Sequence, residues 1–206
     1  MFYLIGGSPR SGKTTIAKEL SRKLNIPWIS TDTLESVVIK YTDDNILPAL
    51  FPKSVMRRST NQSNDEMYTK YTSEQIVNAY IDQGNSLAKG IEMFIECEAS
   101  YDNDYILEGY HILPELVLKL EKKFPVKTVF VGREDEMQTL EDITKNPQVN
   151  DWVITKTKNI QTYSLIAKML KVFSLRLKKE AEENKGEYFS MDNNFKETLQ
   201  KIVEKF

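Results

Sequence analysis

The sequence predicts an α/β fold built on a parallel sheet, and three consecutive stretches at its start predict it. "MFYLIGG" is a short apolar run that ends in glycines, too short for a helix and suited to a strand buried on both faces. "GKTTIAKELSRKL" follows, with Ile16, Leu20 and Leu24 at four-residue spacing on one apolar helical face. "IPWISTD" is a second short apolar run that ends in polar residues. Strand, glycine-rich turn, helix and strand make a βαβ unit, the building block of parallel sheets.

The rest of the chain continues the alternation. From Asp43 to about Ser73 the pattern loosens, with two prolines, a basic pair and a polar run rich in Asn and Ser. A long irregular segment of this kind is expected to be an insertion that caps a site. Ser73 to about Ser100 reads as a helix capped by Thr72 or Ser73, weakened by Gly84 and Gly90. "YILEGYH" and "VKTVFVG" read as strands, and a helix between them runs from Pro114 to about Lys123. Glu134 to Ile143 reads as helix, "NPQVND" breaks it, and Trp152 to about Glu183 is mostly helix. "GEYFSM" is a last short strand, and Phe195 to Phe206 a closing amphipathic helix. The expected organisation is one domain over residues 1–206, with a cap at about 43–73 and a second flap at about 134–158.

Composition narrows the function. Lys and Arg number 28 against 30 Asp and Glu, a net charge of −2, so no overall positive field draws in nucleic acid or an acidic membrane. Cys97 is the single cysteine, which rules out an internal disulfide or a cysteine metal site and suits a reducing compartment. The start of the chain lacks the pattern of a signal peptide, and no apolar run is long enough to span a bilayer. The expected location is the cytoplasm, and the expected partner a small molecule.

Gly7, Gly12, Lys13 and Thr14 satisfy G-x-x-x-x-G-K-[ST], between an apolar strand and an amphipathic helix as that pattern requires. Residues Gly7, Ser8, Pro9, Arg10, Ser11, Gly12, Lys13, Thr14 and Thr15 surround the phosphates in such a loop, all but Pro9 able to offer a backbone N–H, and glycine permits the close approach. The helix start adds unpaired N–H groups and a positive dipole end. Lys13 supplies charge to the β- and γ-phosphates, and the Thr14 hydroxyl suits a magnesium ligand. A nucleoside triphosphate with Mg2+ is the ligand these residues imply.

Two carboxylates follow strands. Asp32, in "ISTDTL", is placed to orient an acceptor hydroxyl and take its proton, or alternatively to cap a helix beginning at Thr33. Glu108, in "YILEGYHILP", is placed to hold magnesium through water or to position the attacking group. His111, the only histidine, is a candidate for substrate contact or for local packing. The cations available to moving phosphoryl oxygens are Arg10 in the loop, Arg57 and Arg58 in the cap, and Arg133 after the "VFVG" strand. Arg57 and Arg58 also suit a clamp on an anionic acceptor.

"GGSPRSGKTT", "ISTDTL" and "YILEGYHILPELV" together resemble the P-loop kinases related to adenylate, shikimate and gluconate kinases, and more closely the group of 2-phosphoglycerate kinase and zeta-toxin-like proteins. The resemblance implies a P-loop NTPase three-layer sandwich with a five-stranded parallel sheet flanked by helices. It also implies ATP with magnesium and γ-phosphoryl transfer to a small-molecule hydroxyl. Gly7 to Thr15 would then hold the triphosphate, Asp32 would face the acceptor and Glu108 would end the Walker B-like strand. A GTP switch is disfavoured, since no Asn-Lys-x-Asp segment is present and no Asp-x-x-Gly follows the third strand. A non-catalytic or regulatory nucleotide-binding module, a zeta-toxin-like kinase and a nucleic-acid kinase are the alternatives.

Overall fold

The computed structural model describes residues 1–145 and 151–206. In chain order the elements are β1 (Phe2–Gly7), α1 (Lys13–Leu24), β2 (Trp28–Ser30), α2 (Thr31–Tyr41), α3 (Leu47–Leu50), α4 (Pro52–Ser59), α5 (Asn64–Lys70) and α6 (Ser73–Ser100). They continue with β3 (Tyr105–Gly109), α7 (Pro114–Leu120), β4 (Val126–Gly132), α8 (Glu136–Lys145), α9 (Trp152–Thr155), α10 (Ile160–Glu183), β5 (Tyr188–Ser190) and α11 (Phe195–Lys205). The strands form one five-stranded sheet in the order β2-β3-β1-β4-β5, and every pairing is parallel.

Side-chain alternation divides the central strand between two cores. Phe2 and Leu4 of β1 pack with residues of α6, α7 and α10 on one face, while Tyr3 and Ile5 pack with α1 and α11 on the other. β1 is buried along its whole length, which is why it reads as an unbroken apolar run. This is the α/β three-layer sandwich that the sequence resemblance implies.

The region 43–73 differs from the irregular segment expected. It folds as α3, α4 and α5, and its two prolines stand in the first turns of α3 and α4, where a missing N–H costs nothing. α4 buries no residue fully, so it carries no apolar stripe to betray it. α6 runs unbroken through Gly84 and Gly90, opened by a reciprocal capping box between Thr72 and Gln75. The helix expected from Trp152 is two helices, because Asp151 caps α9 and Asn159 caps α10. Of the expected break at "NPQVND", residues 146–150 lie outside those described, and the last, Asp151, is the N-cap of α9. No helix among the described residues is long and apolar enough to cross a membrane.

Candidate active site

The carboxyl ends of β1, β2 and β3 open into one cavity of about 600 Å3, where parallel sheets gather ligands. Pro9, Arg10, Lys13 and Thr14 line it from the loop after β1, and Ser30, Asp32 and Glu108 from beyond β2 and at the end of β3. Lys53 and Arg57 line it from α4, Gln62 from the turn after α4, and Trp152 and Lys156 from α9 and its C-terminal end.

The loop is built to present a bare helix end. Gly12 holds φ at 89°, a left-handed value that side chains resist, and an added Cβ would meet the Phe195 ring at 2.6 Å. No side chain caps α1 at this end, so its first N–H groups face the cavity unclaimed by a cap. Lys13 is buried and its Nζ donates to the Ser8 carbonyl at 2.6 Å. Burial pushes the Lys13 pKa down, and the carboxylates of Glu108 and Asp32 pull it back.

Glu108 is buried, and its Oε1 accepts from the Thr14 hydroxyl at 3.1 Å. Burial raises its pKa, opposed chiefly by the Lys13 charge. Asp32 is different in kind: its side chain is 68% exposed and accepts no hydrogen bond among the described residues. It is not the helix cap, because Ser30 holds that position and its hydroxyl accepts from the Asp32 N–H at 3.3 Å. α2 therefore begins at Thr31, two residues before the expected start, and Asp32 sits in its first turn.

Behind this wall lies a buried polar network that sequence reading missed. Glu35, one turn after Thr31 on α2, accepts from the Tyr110 hydroxyl at 2.6 Å and faces His111 Nε2 at 2.7 Å. It also accepts from Lys53 Nζ at 3.1 and 3.2 Å and from the Ser54 hydroxyl at 3.3 Å. A carboxylate can only accept, so the His111 proton resides on Nε2, and Nδ1 accepts from the Thr31 hydroxyl at 2.8 Å. Burial alone would raise the Glu35 pKa; the donors His111, Lys53 and Tyr110 overcome it and hold the carboxyl well below the usual carboxylate range.

A stability signature follows from that direction. The folded-state pKa of Glu35 lies below its ordinary 4.5, so its stabilisation is present above about pH 4.5 and lost as the pH falls below it. Glu35→Gln is expected to lower stability at pH 7 and to flatten the acid side of the stability curve. Urea denaturation at pH 7, 5 and 3.5 checks this; parallel curves for the two proteins would contradict it.

Asp32, Glu35 and His111 also place possible ligand atoms within 4.8 Å of one another. The trio reads as a hydrogen-bond network instead of a metal centre, since both His111 nitrogens are committed and the Lys53 ammonium already supplies the cation.

No protein-family model matches the chain. Among curated proteins it is 28% identical over 137 residues to the 2-phosphoglycerate kinase of Pyrococcus furiosus, an alignment covering 66% of this chain and 43% of the relative. Against the 2-phosphoglycerate kinase of Methanococcus maripaludis strain C5 it is 25% identical over 212 residues, covering 99% of this chain and 63% of the relative. The chain is thus similar to 2-phosphoglycerate kinases and carries the P-loop pattern over residues 7–14. It spans less than two thirds of the length of these relatives. A shikimate kinase from Bacteroides thetaiotaomicron aligns over 100% of this chain and 95% of its own, at 16% identity and a TM-score of 0.47.

The structure brings Arg10, Lys13, Thr14, Asp32, Arg57 and Glu108 to one cavity. It places four other expected residues elsewhere. His111 is fully buried with both nitrogens occupied, so it supports Glu35 and does not reach a substrate. Arg58 points off the cavity face of α4, beside Asp43, Asp44 and Leu47. Arg133 lies outside the cavity, its guanidinium 2.7 Å from Asp142 and 3.9 Å from Asp192. Ser8 is buried, its hydroxyl accepting from Ser174 at 2.9 Å. Gly109 lets the end of β3 pack against α2: a Cβ there would sit 1.8 Å from Thr31 Oγ1.

Proposed function

We propose that the chain binds ATP with magnesium at the P-loop and transfers the γ-phosphoryl group to a hydroxyl of a small anionic molecule. The observation that carries this reading is one cavity holding an uncapped helix N-terminus, Lys13, an unpartnered Asp32 and cap-borne cations. The 2-phosphoglycerate kinases to which the chain is similar make 2-phosphoglycerate the first acceptor to try.

The donor set fits magnesium. The Thr14 hydroxyl and the Glu108 carboxylate are hard oxygen donors 3.1 Å apart, suited to an ion that keeps several of its waters. Magnesium held there would neutralise charge on the β- and γ-phosphates. The α1 N–H groups and Lys13 bind the triphosphate. Asp32, with nothing else to bond, orients the acceptor hydroxyl and takes its proton as it attacks. Arg57 and Lys156 face the same cavity without a carboxylate partner among the described residues, which favours an acceptor carrying negative charge.

The cap over 43–73 and the segment after residue 150 close the acceptor end as one piece. Asn64, at the start of α5, accepts a bond from Arg57 at 3.3 Å and donates to the Trp152 carbonyl and the Thr157 hydroxyl at 3.1 and 3.0 Å. The Asp65 carboxylate accepts from the N–H groups of Lys158 and Asn159. Excluding water there protects the transfer from hydrolysis. Incubation with γ-labelled ATP, magnesium and 2-phosphoglycerate tests the reading: label should appear in an acceptor phosphate ester and depend on Asp32.

A further inference from the structure

Lys53 and Arg57 stand four residues apart on α4 and both line the cavity, so one face of this cap helix presents two cations to the acceptor. They are held differently. The Arg57 guanidinium lies over the Trp152 ring at 4.7 Å, with Asn64 as its hydrogen-bond partner. Lys53 is fixed by the buried network: Nζ lies 3.1 and 3.2 Å from the two Glu35 oxygens, 2.9 Å from the Tyr110 hydroxyl, and over the Tyr110 and Tyr80 rings at 4.8 and 5.4 Å.

The donors and acceptors of this network can be counted out. The Tyr110 hydroxyl gives its hydrogen to Glu35 and accepts from Lys53 and from Gln83 Nε2 at 3.0 Å, which uses all its capacity. Gln83 Nε2 gives its other hydrogen to the Ser54 hydroxyl at 3.1 Å, its Oε1 accepts from the Ser54 N–H at 3.0 Å, and the Ser54 hydroxyl donates to Glu35. His111 spends one nitrogen on Glu35 and the other on Thr31. An ammonium has three hydrogens: the two oxygens of the single Glu35 carboxylate, at 3.1 and 3.2 Å, share one forked hydrogen, and Tyr110 takes a second. The third N–H of Lys53 is the one donor of the network left without a partner among the described residues, and Lys53 borders the cavity.

We propose that Lys53 is the specificity-determining residue of the acceptor site, a fixed ammonium that donates its remaining hydrogen bond to a carboxylate or phosphate oxygen of the acceptor. Glu35, Tyr110 and His111 are the positioning residues that aim it. This rests on the kinase reading and adds to it which side chain selects the acceptor. Because Glu35 balances the Lys53 charge, Lys53 adds little long-range attraction, and its effect lies in the contact itself. Mobile surface lysines lose rotamer freedom on binding; this one has already lost it on folding.

The test is calorimetric titration of the protein saturated with magnesium and a non-hydrolysable ATP analogue. The probes share one carbon skeleton: glycerol, glycerate, glycerol 2-phosphate and 2-phosphoglycerate. The wild type should bind one or more of the anions and not glycerol, and the pair glycerate and glycerol 2-phosphate tells a carboxylate from a phosphate partner. Lys53→Met should weaken that anion about tenfold or more, the scale of a charge-assisted hydrogen bond. Glu35→Gln, which keeps the ammonium but loosens it, should weaken the same anion, while affinity for the ATP analogue stays within twofold in both variants. A merely structural role would shift melting temperature without separating the two ligands. The double variant Glu35→Gln with Lys53→Met removes the buried charge pair together, and it keeps the test valid if Lys53→Met alone fails to fold. Equal anion affinity in the wild type and the double variant, or no anion binding to the nucleotide-loaded wild type, overturns the role of Lys53 and leaves the kinase reading standing. Failure of the wild type to bind the ATP analogue defeats both.

Discussion

Lys13→Ala is expected to slow phosphoryl transfer by about a hundredfold to a thousandfold, the cost of removing one preorganised donor from a developing charge. The size of the effect follows from the lack of a substitute. Arg10, the other cation of the loop, is ion-paired with Asp151, and Arg133 is held by Asp142 outside the cavity. Lys13 alone is buried beside the open end of α1. The change should leave the fold intact, since alanine is the strongest helix former and the lost bond runs to a loop carbonyl. It should even spare the protein a buried charge, because burial already pushes the Lys13 pKa down. Steady-state rates and thermal melts of the two proteins check both halves. A variant that keeps its rate within a factor of two, or that loses rate only in step with melting temperature, would contradict the assignment.

Asp32→Asn is expected to slow transfer by about a hundredfold or more, the scale of a lost general base, with affinity for ATP and magnesium nearly unchanged. Two facts of placement separate this from a structural effect. Ser30 caps α2, so the Asp32 side chain is not needed to start the helix. The carboxylate is 68% exposed and accepts no hydrogen bond among the described residues, so amidation breaks nothing in the folded protein. Single-turnover rates with saturating acceptor give the answer. A variant as fast as the parent would remove Asp32 from the chemistry and leave Glu108 as the strand-end carboxylate that faces the P-loop.

What the sequence disclosed and what it hid divide along the range of the interactions. The phosphate loop is local: eight consecutive positions carry the pattern, and the strand before it and the helix after it are each apolar in their own period. β4 was legible over Val126–Gly132 for the same reason. The segment 43–73 was not, because α3, α4 and α5 span 4, 8 and 7 residues and take their stability from tertiary contacts. Its prolines read as breaks although they begin helices.

The polar network beside the cavity was hidden for a related reason. Glu35, Lys53, Gln83 and Tyr110 come from α2, α4, α6 and the turn after β3, and no spacing links them. One signal was available. Glu35 shares the inner face of α2 with Leu34 and Val38, both packed on the core, and a carboxylate on an apolar stripe must be bonded by something. His111, the only histidine, was the nearest candidate for that partner.

Arg10 and Arg133 carry the charge the sequence reading asked for, but only Arg10 lines the cavity, and both are ion-paired. Both lie near the loop, and each is matched to a carboxylate, Asp151 for one and Asp142 for the other. Their charge is committed in this structure, which places the demand for phosphate binding on Lys13 and the helix end.

The central claim is phosphoryl transfer from ATP to a small anionic alcohol, and transfer of the γ-label itself tests it most directly. The protein, γ-labelled ATP and magnesium are incubated with 2-phosphoglycerate, glycerate or glycerol 2-phosphate, and the products are separated by anion exchange. The account predicts label in a new phosphate ester of at least one acceptor, absent without magnesium, absent with Lys13→Ala and reduced about a hundredfold or more with Asp32→Asn. Label found only in ATP and inorganic phosphate with every acceptor, at the same rate for the parent and both variants, would contradict it.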